Sequence, residues 1–566
     1  QSTWGIQIKP SDRKNPYTQF TVKNMAFIGN MIQPKGSSMP YKFSHVSIIM
    51  LFSLLAFTSS SETNHVKPTV VVSCPNASTA QACIEQTKLS LPLKILPNIL
   101  NFLSQLLEAA QEEAGKLSLL LQNVGIASII EKQKGTVQDC LELHEITISS
   151  IQTADSIIKS NDPSKLPDAK IFLSSALTNQ ATCLEGLETA SGSSKPKIIN
   201  SINAIFDSVR SSLSRLPSIP IVRHRRRLLR YPTWISSKDR RILQGYKLQD
   251  DYQSGALVVA KDGSGNFTTI GEAIDFAPKN SFDRVIIYVK AGIYEENVNI
   301  PKSKINLVLL GDGSDVTFIT GNRSVGDGWT TFRSDTLAVS GSGFLARGLW
   351  IENTAGPEKH QAVALRVNAD FVALYQCIIS GYQDTLYVHS FRQFYRECSV
   401  YGTVDYIFGN AAAVFQASEI VSLLPMAGQF VAVTAQSRES PDEITGIAFQ
   451  NCSILASEEL YNSSASVRSY LGRPWKEYSR TVVMQSYIDG FIDPRGWIAW
   501  DANHGLDNLY YGEFDNHGPG SDTSGRVNWP GFHVMGYDDA YSFTVSNFIT
   551  SDEWLDSTSF PYQDGI

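Results

Sequence analysis

Gln361, Gln383 and Asp405 follow one another at a fixed interval of 22 residues, and Asp384 stands directly after the second. That interval exceeds any helix or strand period but suits one turn of a parallel β-solenoid, whose coils stack like plates. Neighbouring strands lie about 4.8 Å apart, so stacked coils would gather two amides and two carboxylates on one patch of a rigid wall. The surrounding sequence is written in short β-branched runs parted by Gly, Asn and Asp, such as 285–289, 307–310 and 371–374. Strands and turns without intervening amphipathic helices predict an all-β right-handed parallel β-helix over residues 247–566 rather than a βαβ sheet. One short helix, over 270–277, is expected to cap the first coil.

Residues 68–217 read differently. Leu96, Ile99, Leu100, Leu103, Leu106 and Leu107 recur at helical spacing, and polar breaks near Gly135, at 161–163 and at 191–196 divide the stretch into about four helices. An all-α four-helix bundle is therefore expected ahead of the solenoid. Of the seven cysteines, Cys74, Cys83, Cys140 and Cys183 fall in this half, enough for two bridges. Cys140 with Cys183 would tie two helices together, and Cys74 with Cys83 would staple the start of the bundle.

The apolar run 46–57 follows Lys42 and precedes small polar residues. Twelve residues are too few to span a bilayer, so residues 39–62 are expected to be a secretory signal peptide beginning at Met39. No other apolar run is long enough to cross a membrane, so the mature chain is expected to have no membrane partner. Residues 1–38 show no apolar period and are expected to be an upstream or non-native extension outside the fold. Residues 218–246 form a basic linker with the pairs Arg226–Arg227 and Arg240–Arg241, each followed by two apolar residues, and these dibasic sites are expected to be places for a processing protease. Five Asn-x-Ser/Thr triplets, at Asn76, Asn266, Asn322, Asn451 and Asn462, fit a secreted glycoprotein.

Charge separates the halves. Residues 1–243 carry 27 Lys+Arg against 17 Asp+Glu, whereas 244–566 carry 21 against 38, a net −17. An acidic second half argues against nucleic acid as a partner, since phosphate binding needs clustered cations.

The chemistry lies in the repeated patch. Two carboxylates as close as Asp384 and Asp405 cannot both ionise easily, which separates a proton donor from a nucleophile. Arg473, in Leu-Gly-Arg-Pro-Trp, is the candidate to hold Asp405 ionised through a bidentate pair. Gln361 and Gln383 can offer amide N–H groups to a developing oxyanion. Amide donors would do little for the cation-like transition state of glycoside cleavage, so the set favours acyl transfer at an ester.

The segments Gly292-Ile-Tyr-Glu-Glu, Gln361-Ala-Val-Ala-Leu, Gln383-Asp-Thr-Leu, Asp405-Tyr-Ile-Phe-Gly and Leu471-Gly-Arg-Pro-Trp occur in order. With them the chain resembles the plant pectin methylesterases from about Leu257 to Tyr562. The stretch from Ala176 to Leu187 resembles the inhibitor-like pro-region of that family, and the two linker arginine pairs resemble its processing motifs. The resemblance implies Asp405 as nucleophile, Asp384 as proton donor and then base, Gln361 and Gln383 as oxyanion donors, and Arg473 as partner of the nucleophile. It implies substrate contacts at Thr331, Gln361, Arg473 and Trp475, with Tyr387, Phe408 and Trp497 lining the cleft. Pectin as substrate, a processing protease and possible inhibitor proteins as partners, a cell-wall location, and no metal or organic cofactor are what it implies further. Two departures stand out: the family usually has a cysteine near Ser418 and often one near Trp350, and neither is present. The pairing of Cys377, Cys398 and Cys452 is thereby left open.

Overall fold

The computed structural model describes residues 18–21, 71–74, 80–122, 129–217, 255–502 and 504–566, with side chains from residue 99 onward. The apolar run at 46–57, the Arg226–Arg227 and Arg240–Arg241 pairs and the side chains of Cys74 and Cys83 lie outside this set. The chain divides into two units, Gln1–Asn98 and Ile99–Ile566. In the first, Thr18–Thr21 pairs antiparallel with Val71–Cys74. This four-residue ladder falls partly in the stretch expected to lie outside the fold.

The second unit contains both architectures expected from the sequence. Helix α1 (Ala80–Gln122), which belongs to this unit from Ile99 onward, is followed by α2 (Thr136–Lys159), α3 (Leu166–Thr189) and α4 (Lys195–Arg215). Along α1, Leu100, Leu103, Leu107, Ala110, Ala114, Leu117 and Leu121 recur at three- and four-residue spacing and are all buried. They form the apolar stripe that a bundle helix must hide. Pro167 and Pro196 sit at the first helical turns of α3 and α4, where a missing N–H costs nothing. The Cys140–Cys183 disulfide joins α2 to α3.

From Leu257 the chain winds into three parallel sheets of eleven, eight and seven strands. Inward residues stack from coil to coil; Leu365, Leu386 and Ile407 are register mates and fully buried. Tyr395 and Phe415 stack with centroids 4.5 Å apart, and Phe449 continues the pile at 5.1 Å. Each such side chain contributes about 1.5–3 kcal/mol on burial. Helix α5 (Ile270–Phe276) closes the first coil, with Thr269 capping Glu272 N–H and Ile270, Ala273 and Ile274 buried. It covers a sheet end that would otherwise be open to pairing.

One detail departs from the sequence reading. The register Leu365↔Leu386↔Ile407 advances 21 residues per coil, not 22. Asp384 and Asp405 are therefore true register neighbours, while Gln361 and Gln383 are offset by one position.

Candidate active site

The site sits at the start of strands in the seven-stranded sheet. Gln361 precedes Leu365–Asn368, Gln383 and Asp384 precede Leu386–Ser390, and Asp405 lies within Val404–Gly409. The backbone bond from Asp384 N–H to Val404 C=O, 3.0 Å, fixes the two carboxylate positions side by side. Both aspartates adopt the left-handed conformation, with φ of 61° and 52°. Asp tolerates that region better than most residues, and such backbone gathers at functional sites.

Arg473 arrives from the end of strand Ser469–Gly472. At Gly472 a Cβ would stand 2.0 Å from Thr434 Oγ1, so the strand can approach its neighbour only with glycine there. Arg473 N–H then donates to Thr434 C=O at 2.9 Å, and Pro474 biases the residue before it toward extended backbone. The guanidinium reaches Asp405 with Nε–Oδ1 at 2.8 Å and Nη2–Oδ2 at 2.5 Å. Its Cζ lies 4.0 Å from the ring centroid of Trp500 and 5.2 Å from that of Phe430.

Burial and the neighbouring charge of Asp405 push the Asp384 carboxyl well above its usual range. Asp405 is also raised by burial, but the Arg473 hydrogen bonds and charge oppose that rise. The pair is thus arranged so that Asp384 holds a proton more tightly than Asp405 does. Among the described residues no hydrogen bond commits the side-chain amide of Gln361 or Gln383, and both residues are partly exposed.

Aromatic side chains floor the cleft. Tyr387 stacks on Phe408 at 4.2 Å, Phe408 lies 6.1 Å from Trp475, and Trp475 stacks toward Trp500 at 6.4 Å. Trp497 is placed apart from this row: it is 1% exposed, stacks on Tyr511 at 4.1 Å and donates Nε1–H to Glu513. Thr331 is half-buried beside the loop that ends at Ser334. No cluster of His, Cys, Asp and Glu that could hold a metal ion occurs among the described residues. Cys377, Cys398 and Cys452 are free and buried, and Ser418 accepts a hydrogen bond from Cys398 N–H.

The helices cover part of this cleft. From α3, Thr182 bonds His389 at 3.0 Å, Asn179 accepts from Asn368 at 3.2 Å, Thr178 accepts from Asn410 at 2.8 Å, and Glu185 pairs with Lys476 at 2.6 Å. The gap left between α3 and the Tyr387–Trp475 floor is about 10 Å³, close to one water. From α2, Asp139 pairs with Arg333 at 2.7 Å, and Glu142 pairs with Arg333 at 2.8 Å and Arg366 at 3.3 Å. The sequence reading missed these arginines, together with Trp500 and Phe430. One signal was available for Arg366: a charged residue inside the apolar strand run Leu365–Asn368.

Fold and site together define a β-helical ester hydrolase that carries a helical bundle on its cleft. The family model described as pectinesterase matches residues 256–552, and that described as plant invertase/pectin methylesterase inhibitor matches 73–220. An Arabidopsis thaliana protein named probable pectinesterase/pectinesterase inhibitor 12 is 57% identical over 545 residues, 93% of this chain and 99% of that protein. Pectinesterase 3 of Solanum lycopersicum is 45% identical over 439 residues, 77% of this chain and 80% of that protein. The solved structure of pectin methylesterase from carrot is 52% identical with a TM-score of 0.54, and covers 55% of this chain and 98% of its own. The chain belongs to the pectinesterase family, whose members are carboxylic ester hydrolases, and bears the family's inhibitor-type helical domain.

Proposed function

We propose that the β-helix hydrolyses galacturonate methyl esters in pectin through an acyl-enzyme on Asp405. The observation that carries this reading is the bidentate clamp of Arg473 on Asp405 beside the proton-retaining Asp384. Asp405 attacks the ester carbonyl carbon, and the oxyanion that forms takes N–H groups from Gln361 and Gln383. As the C–O bond to methoxide breaks, Asp384 delivers its proton to release methanol. The Asp384 carboxylate then takes a proton from water, whose oxygen attacks the acyl carbon; Asp405 leaves as carboxylate and the galacturonate acid is formed. Each group ends as it began. Thr331, Trp475 and the Tyr387–Phe408 pair would hold the sugar, with Trp497 supporting the cleft wall through Tyr511.

The helical segment is read as a pro-region that keeps this cleft closed until a protease cuts the linker at Arg226–Arg227 or Arg240–Arg241. The one-water gap under α3 supports that reading, because a sugar ring cannot enter it. Secretion to the cell wall is read from the 39–62 segment; among the described residues no helix is long and apolar enough to cross a membrane. The test is methanol release from methyl-esterified pectin by residues 244–566, without shortening of the sugar chain. Shortened chains without methanol would point to glycoside cleavage instead.

A further inference from the structure

Cys377, Cys398 and Cys452 stand in one column at a corner of the β-helix. Ile378, Ser399, Glu419, Ser453 and Tyr487 are successive register mates in the eight-stranded sheet, so the residues just before them stack as Cys377, Cys398, Ser418, Cys452 and Ser486. One position earlier, Gln376, Glu397, Ala417, Asn451 and Gln485 all take the left-handed conformation, with φ between 49° and 53°. The same turn thus launches every coil of the column. Ser399 N–H donates to Cys377 C=O at 3.0 Å and Glu419 N–H to Cys398 C=O at 2.8 Å, which keeps the coils in step. All three thiols are buried.

Distance within the column selects the partners. Adjacent coils lie about 4.8 Å apart, inside the roughly 4.4–6.8 Å between Cα atoms that a disulfide spans, whereas a step of two coils, about 9.6 Å, exceeds it. Cys452 is two coils from Cys398 and three from Cys377, so it reaches neither. Cys377 and Cys398 are one coil apart, and their thiols hydrogen-bond one another. On the other side of Cys398, Ser418 offers only a hydroxyl, which accepts from Cys398 N–H at 3.2 Å. Burial pushes the Cys398 thiol well up, while at Cys377 the hydrogen bonds of Cys398 and of backbone groups outweigh burial and hold the thiol below its ordinary value. Cys377 is therefore the readier thiolate of the two.

We propose that Cys377 and Cys398 are the site of a disulfide that closes between neighbouring coils as the chain folds in an oxidising compartment, with Cys452 left as a thiol. The inference goes beyond the esterase reading and does not depend on it. The electrons pass to a donor disulfide such as oxidised glutathione. Cys398, still exposed, attacks one sulfur of the donor, forming a mixed disulfide and releasing one glutathione thiolate. As the coils come together, the Cys377 thiolate attacks the Cys398 sulfur, forms the bridge and expels the second glutathione thiolate. Two protons and two electrons leave the chain, and the donor is reduced to two thiols. Asp384 stands seven residues beyond Cys377, and Asp405 seven beyond Cys398. The bridge therefore ties together the two coils that carry the reactive pair.

The carrot relative, nearly all of which aligns with just over half of this chain, shows that the β-helix folds without the helices. The test therefore uses residues 244–566, which contain these three cysteines and no others, secreted from a eukaryotic host as wild type, C398S and C452S. Denatured without reductant and treated with iodoacetamide, wild type should be alkylated once, at Cys452, and its proteolytic peptides should include a pair joining Cys377 to Cys398. C452S should keep the bridge and take up no label, and C398S should be alkylated at both remaining cysteines. Dithiothreitol should lower the melting temperature of wild type and C452S by about 5 °C, because it releases a constraint on the unfolded chain, and should leave C398S unmoved. Three alkylated cysteines in the secreted wild type, or a bridge that includes Cys452, would overturn the proposal. A reductant effect of equal size in C398S would do the same. If C398S does not fold, the peptide maps of wild type and C452S decide. Thiol count and melting are read without methanol, so failure of the esterase reading and failure of the bridge are separate results.

Discussion

Arg473 holds Asp405 by two parallel N–H···O contacts of 2.8 and 2.5 Å, while Asp384, one coil away, lies against neither nitrogen in a hydrogen bond. This asymmetry assigns the protons. Activity should be bell-shaped in pH: lost on the acid side as Asp405 is protonated, and on the alkaline side as Asp384 loses the proton it must donate. R473Q removes the influence that opposes the upward shift of Asp405, so the acid limb of the kcat profile should move up by about one to three pH units. An acid limb that stays in place would show that Arg473 does not set that ionisation.

The uncommitted amides of Gln361 and Gln383 are expected to act only once charge develops on the carbonyl oxygen. Q361A and Q383A should each lower kcat by roughly 10²-fold with little change in KM. A raised KM at constant kcat would make them ground-state sugar contacts.

The Cys140–Cys183 bridge closes a separation of 43 residues between α2 and α3. On the chain-entropy account, C140S should destabilise the helical segment by about 4 kcal/mol. In the isolated β-helix the melt is the control, and a helical segment that melts unchanged in C140S would remove the bridge from its stability.

The contribution of Asp139 to docking of the helices should fade as pH rises through about 6. Burial pushes Asp139 up to about 6 against its ordinary 3.8, and Glu185 is raised by burial as well. A carboxyl whose docked pKa is raised contributes fully below its undocked value and loses that contribution as pH climbs through the docked one. Glu142 is lowered, chiefly by Arg366 and Arg333 acting against burial, and works in the opposite sense. His389, which Thr182 bonds and which burial holds well below its ordinary 6.5, also works in the opposite sense, so the Asp139 share is read by comparison with D139N. After cleavage in the linker, association of the two parts should fall more steeply between pH 4 and pH 6.5 in the wild type than in D139N. Parallel pH profiles of wild type and D139N would contradict this assignment.

The parallel β-helix was legible in the spacing of Gln361, Gln383 and Asp405 because a coil imposes a long, nearly constant period on whatever lines its wall. That period was misjudged by one residue. The left-handed backbone at Asp384 and Asp405 shifts side chains relative to the strand register, which no spacing reveals. The helix breaks at Gly135, 161–163 and 191–196 were legible because Gly, Asn and Pro act locally. The ion pairs of Arg333 and Arg366 with α2 were not, because Arg333 meets Asp139 across 194 residues and Arg366 meets Glu142 across 224. Contacts at such separation leave no periodic trace. The absence of cysteines near Trp350 and Ser418 was readable, but that Cys377, Cys398 and Cys452 stand free and buried was visible only once the coils were stacked.

The most direct test of the account is methanol release by residues 244–566 carrying D405N, compared with wild type on methyl-esterified pectin at matched thermal stability. Asn cannot form the acyl-enzyme, so turnover should fall to background while the melting temperature stays within a few degrees. Methanol release by D405N at near the wild-type rate would contradict the assignment of Asp405 as nucleophile.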